Sequence, residues 1–165
     1  MTIRVFENVI PTIADSAYID PAALVIGDVS IAADASLWPM AVARGDIGSI
    51  RIGARTNIQD GSILHVTHDG PHAPGGYNLN IGSDVTVGHK AILHGCTIGE
   101  HCLIGMGAMI MDGARLEARV LLGAGSLVTP GKVLEGGYLW LGSPARRVRP
   151  LRSEELDYLD YSSRY

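Results

Sequence analysis

Aromatic side chains are scarce in this chain of 165 residues, which contains a single phenylalanine and 5% aromatic residues in total. A core with so few large rings is expected to be narrow and filled by small aliphatic side chains. Glycine is abundant instead, with 21 residues, but it does not recur at every third position. That spacing excludes a collagen-like triple helix. The length suits one domain with a sizeable core.

Strong charge and long apolar runs are also missing. The formal charge is −4, the pI is near 5.8, and nothing in these values favours nucleic acid as a partner. No apolar run approaches the ~20 residues that cross a bilayer, and the first residues do not resemble a secretory signal. We therefore expect a soluble, cytoplasmic protein without a membrane or nucleic-acid partner. Cys96 and Cys102 are interpreted as buried free thiols rather than a disulfide or a metal pair.

A six-residue repeat fills most of the chain from Ile26 onward. Its first position is usually aliphatic, its second is often glycine, and its fifth is small or β-branched. Each unit of such a repeat is a short strand plus a turn, and three units close one triangular coil. The fifth-position residues of the second half, which we expect to point inward, are Val85, Ala91, Cys102, Ala108, Ala114, Val120 and Ser126.

Three segments depart from the repeat. Residues 1–24 carry no clear frame and are interpreted as an edge strand that leads into the first coil. The frame is interrupted near Arg44-Gly45-Asp46 and resumes out of phase. Residues 66–80 are polar and rich in turn formers, which predicts a loop extruded from the coil.

The predicted fold is therefore all-β, a left-handed parallel β-helix of hexapeptide repeats with a short C-terminal α-helix. We expect the β-helix domain, including its lead-in strand, to occupy residues 1–150. Residues 151–165 should form a helix packed on the coil, with Ser153 as its N-cap and Leu156 and Leu159 on its apolar side.

Three histidines occupy fixed phases of the repeat. His65 and His94 share the second position of the frame, and His89 holds the third. His89 and His94 are too far apart in an extended chain to aim simply at one point, so one solution is a metal site between two subunits. Neutral imidazoles suit Zn²⁺, Fe²⁺, Co²⁺ and Ni²⁺, and three of them leave coordination positions open for water. Spacing alone leaves a second reading open, in which these histidines merely face solvent.

The segments Arg44-Gly45-Asp46, Asn57-Ile58-Gln59-Asp60, His65 and His89-Lys90-Ala91-Ile92-Leu93-His94-Gly95 together resemble the gamma-class carbonic anhydrases and their close relatives. The resemblance covers most of the coil. It implies a homotrimer with three interfacial metal sites, in which His65 and His94 come from one subunit and His89 from the next. The substrate it implies is CO2 or bicarbonate. We expect Zn²⁺ as the cofactor, with Fe²⁺ or Co²⁺ as alternatives because three imidazoles accept each of these metals.

The resemblance implies roles for residues outside the ligand set. Gln59 matches a glutamine that hydrogen-bonds the metal-bound water, and Asn57 matches an asparagine that helps to place the substrate. Arg44 matches an arginine close to the site that pairs with carboxylates matching Asp46 and Asp60. A buried cluster of this kind also serves to join subunits, which is the simpler interpretation.

Two regions bear on proton transfer and on the C-terminus. The best-characterised family members carry an acidic loop with proton-shuttle glutamates, whereas the corresponding positions here hold Ile47 and His68 and the loop is short. His68 could shuttle protons because histidine titrates near neutrality, and a surface or loop-anchoring role is the alternative. Tyr161 and Ser162 resemble a C-terminal Tyr-Ser pair whose tyrosine reaches toward the metal.

The implied reaction is the reversible hydration of CO2 by hydroxide generated at the metal. A thioesterase or esterase that uses the same hydroxide is a second hypothesis, because some close relatives act on such substrates. An acyltransferase that uses CoA and a loop histidine as general base is a third. A non-catalytic metal-binding trimer is a fourth, in which Gln59 and Asn57 would have no evident purpose.

Overall fold

The computed structural model describes residues 2–163, which form short strands wound into a solenoid and one helix. The strands in chain order are β1 (Ile3–Arg4), β2 (Thr12–Ile13), β3 (Tyr18–Ile19), β4 (Leu24–Ile31), β5 (Ser36–Leu37), β6 (Val42–Ile52), β7 (Asn57–Ile58), β8 (Ile63–His65), β9 (Leu79–Ile81), β10 (Thr86–Val87), β11 (Ile92–His94), β12 (Thr97–Ile98), β13 (Leu103–Ile104), β14 (Met109–Ile110), β15 (Arg115–Leu116), β16 (Leu121–Leu122), β17 (Leu127–Val128), β18 (Val133–Leu134), β19 (Tyr138–Leu141) and β20 (Arg146–Pro150). The helix α1 spans Ser153–Ser162.

The strands stack in parallel on three faces. The first face contains β1, the start of β4, the start of β6, β8, β11, β14 and β17. The second face contains β2, the ends of β4 and β6, β9, β12, β15 and β18. The third face contains β3, β5, β7, β10, β13, β16 and β19, and β20 closes it in antiparallel pairing with β19. The predicted hexapeptide β-helix with a short C-terminal helix is confirmed.

The core is a narrow column of small aliphatic side chains inside the triangle. The predicted inward residues are buried, from Ala91 and Ala108 at 0% exposure to Ser126 at 1%. Larger aliphatic residues such as Ile104 and Leu122 are fully buried beside them. A triangular coil leaves little room at its centre, so small side chains at this phase let the three faces approach one another. Cys96 and Cys102 are buried free thiols, as expected.

The interruption of the repeat at Arg44-Gly45-Asp46 does not break a strand. Strand β6 continues through it from the first face to the second, and its register with β4 shifts between Gly27 and Val29 to accommodate the extra residues. Gly27 adopts φ +71°, and a Cβ there would overlap the carbonyl oxygen of Gly45. The two glycines therefore allow a bulged corner, which is typical of strands that re-aim a side chain.

The first residues were expected to form one edge strand, but they form the three short strands β1, β2 and β3, with one on each face. They build the first turn of the solenoid. Both residues of β1 are exposed, so the terminal turn shows no strict inward pattern. Because few side chains of this turn must point into the core, the six-residue repeat is not visible in its sequence.

The helix α1 lies against the third face. Leu159 is buried, Asp160 lies 2.9 Å from His101 Nδ1 and 3.1 Å from Arg119, and Ser162 shares a hydrogen bond of 3.0 Å with Thr86. The prediction of Ser153 as N-cap was wrong by one residue. Arg152 is the N-cap, because the Glu155 carboxylate accepts its backbone N–H at 2.8 Å. The last two residues of the predicted 151–165 segment lie outside the described residues.

The polar segment between β8 and β9 leaves the coil as a loop, as predicted. Antiparallel bridges between Thr67 and Tyr77 and between Gly70 and Ala73 hold its two arms together. The loop inserts between two units of the repeat, so the strands on either side remain in register. Within residues 2–163 we find no helix that is long and apolar enough to cross a membrane.

Candidate metal centre

The structure brings two of the three predicted ligands together. His65 ends β8 and His94 ends β11, and these strands are neighbours on the first face with the two histidines directly in register. The His65 Nδ1 atom lies 3.0 Å from His94 Nε2, and the two ring centroids are 5.0 Å apart. Two nitrogens that bind one zinc tetrahedrally at about 2.0–2.1 Å lie roughly 3.3 Å apart, close to this separation.

A carboxylate lies behind each of these imidazoles. Asp46 Oδ1 is 3.0 Å from His65 Nε2, and Asp112 Oδ1 is 2.7 Å from His94 Nδ1. An ionised carboxylate only accepts hydrogen bonds, which assigns the ring protons to those two nitrogens. The two remaining nitrogens then face each other with lone pairs, an arrangement that favours a cation between them. Histidine ligands in metal sites characteristically donate their other N–H in this way.

The charges of this pair suit metal binding. Burial is the main cause that lowers the pKa of His65, which favours the neutral imidazole that a metal needs. Burial opposes ionisation of Asp46, but hydrogen bonds from His65 and Arg44 outweigh it and lower the Asp46 pKa below its ordinary value. Asp46 is therefore ionised near neutrality and able to accept the N–H of His65.

His89 lies on a different corner of the coil. It follows β10 in the turn toward β11, and its Nδ1 is 3.0 Å from Asp60 Oδ2, which leaves Nε2 for a ligand bond. Both side chains are 49% exposed. Among residues 2–163, no group of three or more His, Cys, Asp or Glu side chains is placed to hold a metal ion. The predicted ligands are thus divided into a pair on one corner and a single imidazole on another.

Gln59 belongs to the corner of His89. Strand β7 pairs with β10, which brings the residues that follow each strand side by side. Gln59 and His89 line a cavity of about 220 Å³ whose other walls include Leu103, Met106 and Tyr158. The cavity therefore combines one amide and one imidazole with a largely apolar lining.

Tyr161, which was predicted to reach toward the metal, does not line this cavity. It is 55% exposed and its ring stacks on that of Tyr158, with centroids 6.4 Å apart. Tyr158, one helical turn earlier, takes the position beside Gln59 and His89. The sequence does not single out Tyr158, because the choice between two tyrosines on one side of α1 depends on how the helix docks.

Asn57 is nearly buried, and its substrate-placing role stays a prediction. It is 8% exposed, and its Oδ1 atom has no hydrogen-bond partner among residues 2–163. Its neighbour across the sheet is Thr86, whose hydroxyl meets Ser162 of α1. Asn57 is absent from the lining of the cavity that Gln59 and His89 share.

The predicted cluster of Arg44 with two carboxylates is only half formed within one chain. Arg44 pairs with Asp46, which also contacts His65. Asp60 pairs instead with His89 on the other corner. The Arg44–Asp46 pair therefore belongs to the His65 corner, where the guanidinium helps to keep the carboxylate ionised.

His68, the predicted proton shuttle, is exposed in the loop that follows β8. It lies close to Gly70, where an added Cβ would be 3.3 Å from His68 Nε2. It also lines a cavity of about 110 Å³ with Pro71 and His72. These contacts are all within the loop. The shuttle role of His68 stays a prediction.

Two further residues support the pair, and neither was predicted from the sequence. Asp112 accepts a hydrogen bond from His94, and Thr67 donates its hydroxyl proton to the other Asp112 oxygen at 2.8 Å. The repeat gave a signal for Asp112, because it lies in the turn after β14, the strand that pairs with β11 one coil further along. Thr67 had no such signal, since the loop places it.

Comparisons with known proteins agree with this architecture. The chain matches the family described as bacterial transferase hexapeptide (six repeats) over residues 78–110 and 95–130. It is 53% identical over 161 residues to the protein YrdA of Escherichia coli (strain K12), with 98% of this chain and 88% of YrdA covered.

It is also 38% identical over 160 residues to gamma carbonic anhydrase 1, mitochondrial, of Arabidopsis thaliana. That alignment covers 97% of this chain and 58% of the relative, so the chain spans little more than half of the plant protein. Among solved structures, a hexapeptide transferase family protein from Anaplasma phagocytophilum is similar with a TM-score of 0.89 and 40% identity. The match covers 98% of this chain and 92% of that one.

Proposed function

Because the chain belongs to the hexapeptide-repeat family that includes the gamma-class carbonic anhydrases, we propose that it catalyses the reversible hydration of CO2 to bicarbonate at a divalent metal. The observation that carries the proposal is the pair of His65 and His94, whose free nitrogens lie 3.0 Å apart with a carboxylate behind each ring. The expected metal is Zn²⁺, with Fe²⁺ or Co²⁺ as alternatives, since imidazole ligands accept all three.

The division of the ligands between two corners supports a homotrimer. In a closed ring, each interface joins two different patches of the subunit. His65 and His94 on one corner would then meet His89 of the next subunit, which completes a set of three imidazoles.

An apolar stripe beside the histidine pair supports the same assembly. Val42, Ile63, Ile92, Met109 and Leu127 are aligned on the outside of the first face by successive strand pairings. Ile63 is 45% exposed and Met109 is 38% exposed. Contiguous exposed apolar surface of this kind typically marks a contact with another protein, here the next subunit.

A divalent metal held by these imidazoles would lower the pKa of a water molecule and so would supply the nucleophile at neutral pH. The residues of the chain have the complementary tasks of orientation and substrate binding. The Gln59 amide can hold the attacking oxygen in place by a hydrogen bond. The walls formed by Leu103 and Met106 suit CO2, which has no net charge and no dipole.

Hydrolysis of an ester or thioester is the second candidate function. It is favoured by the size of the cavity beside His89, since about 220 Å³ exceeds what CO2 needs and would accept a short acyl chain. The same hydroxide and the same Gln59 would serve both reactions.

The proposal is tested by stopped-flow CO2 hydration on protein purified without oxygen and reconstituted separately with Zn²⁺, Co²⁺ and Fe²⁺. We expect metal-dependent hydration that falls to background in His89→Ala. The exposed loop residue His72 provides a matched control, because His72→Ala removes an imidazole outside the proposed ligand set. Stoichiometric metal without hydration would refute the carbonic anhydrase proposal, and assays with short-chain acyl esters and thioesters would then separate a hydrolase from a non-catalytic metal-binding trimer.

A further inference from the structure

Asp112 connects the histidine pair to the loop that leaves the coil after β8. It lies in the turn that follows β14, with Oδ1 2.7 Å from His94 Nδ1 and Oδ2 2.8 Å from the Thr67 hydroxyl. Both carboxylate oxygens are therefore used, one on the imidazole and one on the loop. The side chain of Asp112 is 29% exposed, so these hydrogen bonds are only partly in competition with water.

The backbone around Asp112 leaves room for this arrangement. Gly95 adopts φ +52°, and a Cβ there would overlap Asp112 Oδ1 and lie 2.6 Å from Tyr77 Cβ. Only a residue without a side chain lets the carboxylate and the tyrosine both approach this corner. Gly113, the residue after Asp112, similarly accommodates the Tyr77 ring, which would be 3.0 Å from a Cβ at that position.

Thr67 is itself held firmly. Its backbone N–H donates to Tyr77 O at 3.0 Å, and its carbonyl accepts from Tyr77 N–H at 2.8 Å. These bonds close the base of the loop directly beside the corner that carries His65 and His94. These two backbone hydrogen bonds close the loop and fix the backbone of Thr67, and so they set the position from which its hydroxyl contacts Asp112.

We propose that Asp112 is a positioning residue for His94 and that Thr67 fixes Asp112, so that closure of the loop between Thr67 and Tyr77 sets the affinity of the centre for its metal. The carboxylate holds the proton on His94 Nδ1 and so keeps Nε2 free toward His65. It also restrains the ring and raises its basicity as a ligand. The inference rests on the metal binding of the proposed function and not on the reaction that follows.

The test measures metal affinity directly. Metal-free protein is titrated with Zn²⁺ or Co²⁺ in competition with a chromophoric chelator. We expect Asp112→Ala to weaken binding about 10- to 100-fold, which is the usual cost of removing such a partner. Thr67→Val, which keeps the shape but removes the hydroxyl, should weaken it less, and Thr67→Ser should bind like the parent protein. Asp28→Asn, which breaks the surface pair with Arg51, serves as the control.

A second measurement reports on His94 without any metal. The tautomer of His94 is read from the 15N shifts of the imidazole in metal-free protein, and we expect the Nδ1–H form in the parent. Asp112→Ala should lose that preference, while Asp112→Asn should retain part of it because the amide oxygen still accepts. Unchanged affinity together with an unchanged tautomer in Asp112→Ala would overturn the inference. A parent protein that binds metal but does not hydrate CO2 would refute the proposed reaction and leave the affinity difference as support for Asp112.

Discussion

The two corners that carry the histidines differ in what they provide. The corner of His65 and His94 is partly buried, and it presents two imidazoles in register with a carboxylate behind each. The corner of His89 is half exposed, and it presents one imidazole beside Gln59 and an apolar cavity. In the proposed trimer, the first corner would hold the metal, and the second would complete the ligand set and receive the substrate.

The difference arises from where each histidine falls in the coil. His65 and His94 end strands that pair directly, so the sheet holds their rings side by side. His89 lies in a turn between two strands, where Asp60 contacts its side chain and Gly107 donates a hydrogen bond to its carbonyl. In the proposed site, the paired strands would provide two ligands from one chain, and the turn would provide the third ligand from the next subunit.

The strongest test of this division mixes two defective chains. His89→Ala and His94→Ala subunits should each be inactive, but co-refolding them in equal amounts should restore about a quarter of the interfaces, because each restored site takes one intact corner from each chain. The readout is metal content and CO2 hydration of the mixed trimer. A mixture of His65→Ala and His94→Ala provides the control. Both substitutions affect the same corner, so no subunit in the mixture has both histidines and no complete ligand set can form. Equal recovery in both mixtures would contradict the two-corner arrangement.

The second test asks which tyrosine belongs to the His89 corner. Tyr158 lines the cavity with Gln59 and Tyr161 does not. We expect Tyr158→Phe to lower kcat/KM by roughly 2- to 10-fold, the effect of losing one ordinary hydrogen bond. Tyr161→Phe should leave kcat/KM close to that of the parent. The opposite ranking would favour the assignment that the family resemblance implied.

The smallest expected effect concerns the helix that covers the third face. Hydrogen bonds from Arg149 and from the Arg152 backbone lower the pKa of Glu155 to about 2. Its unfolded pKa is about 4.3, so the carboxylate stabilises the docked helix above that pH and loses this contribution as the pH falls toward 2. We expect the methyl resonances of Leu159 to broaden or shift in this range. Glu155→Gln should remove that pH dependence, and an identical titration in both proteins would exclude the mechanism.

Much of the fold could be predicted from the repeat. Small residues at one phase of the repeat, such as Ala91, Ala108 and Ala114, are buried because that phase points into the narrow centre of the triangular coil. The first turn could not be recognised, because its strands lie at an edge where one side faces solvent and the inward pattern is relaxed. The N-cap lies one residue before the predicted position, because the Glu155 carboxylate accepts a hydrogen bond from the Arg152 backbone and so fixes where α1 begins.

The candidate site was predictable to the extent that it follows the repeat. His65 and His94 share a phase, and their pairing follows from it. Asp112 lies in the turn one coil later, after the strand that pairs with β11, so the repeat places it close to His94. Thr67 and Tyr158 could not be predicted, because the position of Thr67 depends on how a loop closes and the position of Tyr158 depends on how a helix docks.

The sequence by itself therefore determined the solenoid, its inward residues and the corner on which each histidine lies, because a strict period converts position along the chain into position in space. Tertiary structure alone decided which side chains support those histidines. The bulge at Gly27 and Gly45 sets Asp46 behind His65, loop closure sets Thr67 on Asp112, and docking of α1 sets Tyr158 beside Gln59. Each of these contacts joins a segment outside the repeat to one inside it, and no period relates the two.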